Sequence, residues 1–269
     1  MQVEKISQNS KIRITNDFSD YSSFENIHSY RVVMSFLAAV DMNFPDLEEL
    51  DRDEIVDFFN KQVADNPRYL DCKVSYTDFV AAWNVKNPKS DKQYLKNLSE
   101  KFLIQSSIKD GKSLITLFSE AEFEDNEIKV LLNPRSMPYL LNAHRTKEGF
   151  ISPVPLRYFQ NFRSTITAKL FERMLRFVDT GQLYFTPERL KEYTGCKSSE
   201  YKILKRDVLN KAKKEFEKLD FVESFEITEE YSGTGRGKQV KRIIINYSMP
   251  EILKLKKANI EKKGHIEKV

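Results

Sequence analysis

One order of elements runs through this chain twice, so its 269 residues must bury two small cores in place of one large one. Residues 29–40, SYRVVMSFLAAV, place Val32, Val33, Phe36, Leu37 and Val40 at helical spacing behind a capping Ser29, and a second helix is predicted at 51–63. The helical stretch VSYTDFVAAWNVKNPKSDKQYLKNLSEKFLIQ follows from Val74. From Ser113, SLITLFSEAEFEDNEIKVLL has two β-favouring halves about a polar EDNE turn. Pro134, Pro138, Gly149, Pro153 and Pro155 then interrupt regular structure, and the order restarts. STITAKLFERMLRFV from Ser164 is a helix with Ile166, Leu170, Phe171, Met174, Leu175 and Val178 along its buried side. Thr186 caps the next helix with Pro187 at its first position, and Tyr201 to about Leu219 forms a longer one. FVESFEITEEY and QVKRIIINY are strands around SGTGRGK.

The halves superpose at their later helices. YTDFVAAWNVKNPKSDKQYLKNLSEKF from Tyr76 lies over FTPERLKEYTGCKSSEYKILKRDVL from Phe185 with a two-residue gap, which pairs Thr77 with Thr186 and Tyr94 with Tyr201. Helices followed by a β-hairpin, twice over, describe an α+β protein of two tandem winged helix-turn-helix domains. The expected divisions are an N-terminal domain over 1–140, a C-terminal DNA-binding domain over 141–250 and a basic tail over 251–269.

On the helix from Tyr201, a 100° step per residue sets Tyr201, Leu204, Val208, Ala212, Phe216 and Leu219 on one stripe, the core face. Lys202, Arg206, Asn210, Lys213 and Lys214 fall opposite, with Lys197 and Lys205 nearby, Ile203 the apolar exception and Glu217 the one clear acid. A charged face also serves solubility alone. The helix after the turn is, however, the one that enters the major groove, where arginine fits guanine and asparagine fits adenine bidentately. Arg236 and Lys238 at the hairpin tip, followed by Lys241 and Arg242, add cations suited to phosphate or the minor groove. In the first half, Tyr94, Leu98 and Phe102 turn inward and leave Lys89, Lys92, Gln93 and Lys96 outside as a thinner DNA-binding set. Its wing carries Glu120, Glu122, Glu124, Asp125 and Glu127, which phosphate repels, so that hairpin is assigned a protein contact.

Net charge is a mild +4, but it is segregated. Asp41, Asp46, Glu48, Glu49, Asp51, Asp53, Glu54 and Asp57 face only Arg52, and the run at 46–57 reads as a solvated helix face over a core side of Leu47, Leu50, Ile55, Phe58 and Phe59. Lys254, Lys256, Lys257, Lys262, Lys263 and Lys268 crowd the tail, where they would add nonspecific DNA affinity. Cys72 and Cys196 stand far apart without metal-ligand spacing, so no disulfide framework and no metal site is indicated, and a reducing cytoplasm fits. VVMSFLAAV at 32–40 is too short to span a bilayer, so no membrane association is expected. His28, His144 and His265 form no pair such as DNA-nicking chemistry needs, and no catalytic residue or cofactor is assigned. GTGRG at 233–237 lacks a GK[ST] ending and precedes a strand, so its glycines are turn residues; Trp83 reads as core.

The second half resembles the iteron-binding plasmid replication initiators, the Rep proteins with tandem winged helices. The resemblance rests on TAKLFERML at 167–175, FTPERLKEY at 185–193, YKILKRDVLNKAKKEF at 201–216 and the wing GRGKQVKRIIINY at 235–247, about 90 residues in matching order; the first half matches in architecture. It implies that both domains grip double-stranded DNA with direct or inverted repeats, the C-terminal one supplying most of the reading. It also implies a monomer–dimer switch, with monomers starting replication and homodimers repressing the initiator's own promoter, and host replication initiator and helicase proteins as partners. The acidic 41–57 segment and acidic first wing depart from the family pattern. Three readings stand beside it: a winged-helix transcriptional repressor, a protein-binding adaptor and a nicking enzyme.

Overall fold

The structure, a computed structural model, describes residues 5–24, 26–39, 47, 50–96, 100–141, 150–198, 200–233 and 238–250. The basic tail, the wing tip with Arg236, His144, His265, Val40, Leu98 and most of the acidic stretch 41–49 lie outside these residues. The chain divides into two compact units, 1–161 and 162–269.

In the first unit, β1 (Lys11–Thr15) runs directly into α1 (Asn16–Tyr21), because Thr15 Oγ1 accepts from the Phe18 N–H at 3.1 Å and caps the helix. After β2 (Ser22–Ser23), α2 (Ile27–Ala39) starts on Asn26, whose side chain accepts from the N–H groups of His28 and Ser29. Ser29, expected as the cap, is instead buried, with its hydroxyl 2.8 Å from that of Tyr94. α3 (Arg52–Asp65) opens with a reciprocal capping box between Asp51 and Glu54, and buries Ile55 and Phe59 beneath its acidic face. β3 (Asp71–Ser75) leads into α4 (Tyr76–Trp83), followed by α5 (Pro88–Lys96) and α6 (Glu100–Gln105). Trp83 is 1% exposed and donates to Ser35 Oγ at 2.8 Å, so the core role expected of it holds.

Gly111, at φ +56°, turns β4 (Ser107–Asp110) into β5 (Ser113–Thr116), a small hairpin to which β2 adds. SLIT therefore pairs backward with β4 and leaves the wing to β6 (Phe118–Glu124) and β7 (Glu127–Leu132). Asp125 and Asn126 join these two strands with φ +51° and +62°, the two-residue turn whose twist matches a right-handed hairpin. α7 (Met137–Leu140) follows, and β8 (Phe150–Pro155) returns to pair antiparallel with β1. This pairing keeps residues 150–155 with the first unit, so the fold divides after Asn161 and not after residue 140.

The second unit begins with α8 (Thr165–Arg176), capped by Ser164, and continues through β9 (Gln182–Phe185) to α9 (Pro187–Thr194). Thr186 caps α9 as expected, its Oγ1 accepting from the Arg189 N–H at 3.2 Å. The long helix comes in three parts: α10 (Tyr201–Leu204), a π-helical segment Lys205–Leu209, and α11 (Asn210–Phe216). The wider π turn brings Leu209 into the core beside the predicted Leu204, Val208, Ala212, Phe216 and Leu219, while Tyr201 is only half-buried. β10 (Ser224–Ser232) and β11 (Gln239–Ser248) form the wing.

Both wings are three-stranded, because the strand before the helix-turn-helix pairs with the last strand of the wing: β3 with β7, and β9 with β11. Backbone conformation aligns the repeat. Ser75 and Thr186 both cap a helix, and Asn84 and Gly195 both end it in the left-handed region, at φ +47° and +67°. Ser75, not Thr77, is thus the counterpart of Thr186; Thr77 is exposed and caps nothing among the described residues.

Candidate nucleic-acid interface

The helix 201–216 of the second unit fixes its buried stripe in the core and thereby presents the opposite side outward. Lys202, Lys205, Arg206, Asn210 and Lys214 are exposed, Lys213 is half-buried, and Lys197 is exposed in the turn before the helix. On β11 and just ahead of it, Lys238, Lys241 and Arg242 are exposed too. The strand register skips Lys241 between the Glu230–Arg242 and Tyr231–Val240 pairs, a bulge that bends the wing where its cations lie.

The cations differ in what they touch. Arg206 holds Asp207 with two hydrogen bonds, Nε to Oδ1 at 3.0 Å and Nη2 to Oδ2 at 2.8 Å, and Lys211 Nζ lies 3.3 Å from the same carboxylate. The Arg206 hydrogen bonds, assisted by Lys211, bring the Asp207 carboxyl down to about 2. Lys205 Nζ lies 2.6 Å from Glu229 Oε1 of β10, which the Tyr201 hydroxyl also reaches at 2.7 Å; the Tyr231 hydroxyl donates to the other oxygen. Burial pushes Glu229 upward, but the hydrogen bonds from Lys205, Tyr231 and Tyr201 outweigh it and hold the carboxyl below its ordinary range. On the wing, Arg242 Nη1 is 3.4 Å from Glu230 with its guanidinium over the Tyr184 ring, and Lys238 Nζ sits 4.2 Å from the centroid of the Tyr231 ring. Among the described residues, Lys202, Asn210 and Lys214 have no such partner, which leaves their donors turned to solvent.

The first unit is built alike and charged differently. Lys89, Gln93 and Lys96 are exposed on α5, but Lys92 is half-buried over the Tyr76 and Phe123 rings and donates to Asn126 Oδ1 at the wing turn, 3.0 Å away. The buried residue between them is Leu95, while Tyr94 is half-buried and stacks on His28. The wing acids are ion-paired on one sheet face. Lys129 lies 3.0 Å from Glu124 and 3.8 Å from Glu122, Lys73 2.9 Å from Glu127, and Arg68 3.5 Å from both Asp71 and Glu120.

Asp207, Lys211, Glu229, Tyr231 and Tyr184 are site residues that sequence reasoning passed over. The signal for Glu229 was present: in FEITEEY, Phe225, Ile227 and Glu229 share one face, so the alternation carries a carboxylate onto the core side, where Glu229 lies opposite fully buried Ile243. Asp207 is the lone acid between Lys202 and Lys214 and stands four residues before Lys211.

Two units with a helix-turn-helix and a three-stranded wing, one of them cationic on its second helix and its wing, define a tandem winged-helix protein of the nucleic-acid-binding class. The chain belongs to the Rep family of plasmid replication initiators. Residues 46–175 match the family description "Initiator Replication protein, WH1" and residues 186–247 match "Initiator Rep protein, WH2". The fold is similar to that of the Pi initiator protein, solved in complex with iteron DNA, with a TM-score of 0.67 at 18% identity over 91% of this chain and all of that one. Domains 2 and 3 of RctB align at a TM-score of 0.38 and 10% identity, over 74% of this chain and 82% of that one. No curated protein sequence matches the chain. No helix among the described residues is long and apolar enough to cross a membrane.

Proposed function

We propose that this initiator binds the repeated sequences of a plasmid origin, its iterons, and acts by binding and deforming that DNA without catalysis. The second unit reads the sequence. Lys202, Lys213 and Lys214 contact phosphate, Arg206 and Asn210 address base edges in the major groove, and Arg236, Lys238, Lys241 and Arg242 clamp the backbone from the wing. The observation that carries this reading is the juxtaposition, in one unit, of an exposed cation-and-amide helix face with a wing bearing cations of its own. Lys89, Gln93 and Lys96 add phosphate contacts from the first unit, whose internally paired acidic wing faces a protein instead of DNA. The protein works in the cytoplasm, exchanges between monomer and homodimer, represses its own promoter as a dimer, and hands the opened origin to host initiator and helicase proteins.

Selection of bound fragments from random and plasmid-derived DNA, followed by titration of the best fragment at several salt concentrations, tests this. Tandem repeats with a steep salt dependence are expected. Enrichment of no sequence would overturn the reading in favour of a protein-binding adaptor. Supply of the protein to a plasmid carrying the recovered repeats separates initiation from repression alone, because only an initiator sustains its replication.

A further inference from the structure

The cluster around Glu229 is the one place among the described residues where the long helix and the wing of the second unit are joined by charge. The Glu229 carboxylate, its side chain only 10% exposed, receives Lys205 Nζ at 2.6 Å and the Tyr201 hydroxyl at 2.7 Å, both from the helix, and the Tyr231 hydroxyl from its own strand. A carboxylate that accepts three donors in a largely desolvated position holds them firmly, since releasing any one leaves buried charge unsatisfied. Lys205 also opens the π-helical segment, so the tether grips the helix where its turn widens. Past the carboxylate, Tyr231 carries Lys238 over its ring and thus extends the connection toward the wing cations.

Resting on the DNA-binding reading above, we infer that Glu229 is a positioning residue for sequence recognition. It sets the angle between the long helix and the wing so that groove and backbone are met together, and it withdraws Lys205 from the phosphate-binding set. The second effect follows from charge: a lysine neutralised at 2.6 Å by a largely enclosed carboxylate releases no counterion from DNA, whereas a freed one would. The first follows from geometry, because a wing that is free to pivot can hold phosphate anywhere but matches one register only when fixed.

The test compares wild type with Glu229→Gln, which keeps the shape and an acceptor for the hydroxyls, and with the double variant Glu229→Gln/Lys205→Met. Two duplexes serve as probes, one of random sequence and one carrying the repeat recovered by selection. On random DNA, Glu229→Gln should steepen the log–log salt dependence by about 0.9, one phosphate contact, and the double variant should return it to the wild-type value. On the repeat, Glu229→Gln should bind about tenfold more weakly, the order of one charged hydrogen bond, with hydroxyl-radical protection lost under the wing but retained at the helix. An unchanged salt slope together with equal losses on both duplexes would overturn the inference and leave Glu229 a stabilising ion pair, which a lowered melting temperature alone would also report. If the wild-type chain bound neither duplex, the DNA-binding reading itself would fall and the inference with it; a wild type that binds while Glu229→Gln behaves identically would overturn the inference only.

Discussion

The two winged units share strand order, helix caps and the left-handed residue that ends the first helix of the turn, yet they spend their charges in opposite ways. In the first, Glu120, Glu122, Glu124 and Glu127 of the wing are taken up by Lys73 and Lys129 on the same sheet and by Arg68 in the turn before it, and Lys92 is drawn back to the wing turn. In the second, Lys202, Asn210 and Lys214 stand clear while Asp207 and Glu229 engage Arg206, Lys211 and Lys205. A winged-helix scaffold therefore does not settle whether a unit grips DNA. That depends on which cations remain available after the protein has paired its own charges, since a surface pair costs little to rearrange but a half-buried one resists.

Experiments can break or sharpen this contrast, beginning with the largest effect. Phe216 is fully buried against Phe162 and Phe225 and anchors the long helix of the second unit, so Phe216→Ala should destabilise that unit by about 3–5 kcal/mol in denaturant titration. Such a loss would also abolish the ordered helix face on which the contrast rests. Next, Arg206→Ala should cost about 1–3 kcal/mol on the selected repeat and relax preference at one base, whereas Lys214→Ala should weaken all sequences alike and lower the salt slope by about 0.9. Equal losses from Arg206→Ala on the repeat and on random DNA would remove its base-reading role.

A smaller effect is expected from recharging the first wing. Glu120→Lys, Glu122→Lys and Glu124→Lys together should steepen the salt dependence on random DNA by well under about 0.9 in all, because this wing faces a protein and not the duplex; a rise of about 0.9 for each substitution would mean that the wing faces DNA. The smallest concerns Asp207. Its folded value of about 2 lies below the 3.8 of an ordinary aspartate carboxyl, so its contribution is fully present above about 4 and is lost as pH falls through 2. Melting temperatures between pH 5 and pH 2 should therefore fall less steeply for Asp207→Asn than for wild type, by a small margin because the carboxylate is partly open to solvent and screened.

Much of the candidate site was legible in the sequence because its determinants are local. The stripe Leu204, Val208, Ala212 and Phe216 orients the helix through nothing more than its period, and an oriented helix already states which lysines face outward. What escaped was set by partners distant in the chain. Lys205 reads as one more exposed cation until β10 brings Glu229 beside it, and Lys92 until the turn at Asn126 approaches. Leu209 was missed because the π segment departs from the 100° step on which the pattern relies.

By itself, the sequence determined that the chain repeats a helical unit ending in a hairpin, where Thr186 and Pro187 begin a helix, and which side of the helix from Tyr201 is buried. These depend on side-chain period and on hydrogen bonds spanning three or four residues, so neighbouring letters suffice. Only the tertiary structure decided that β8 closes on β1, that SLIT belongs to the small hairpin and not the wing, that β3 and β9 complete the two wing sheets, and which cations are already spoken for. Strand pairing and ion pairing join groups far apart in sequence, and their geometry exists only once the backbone has brought the two sides together.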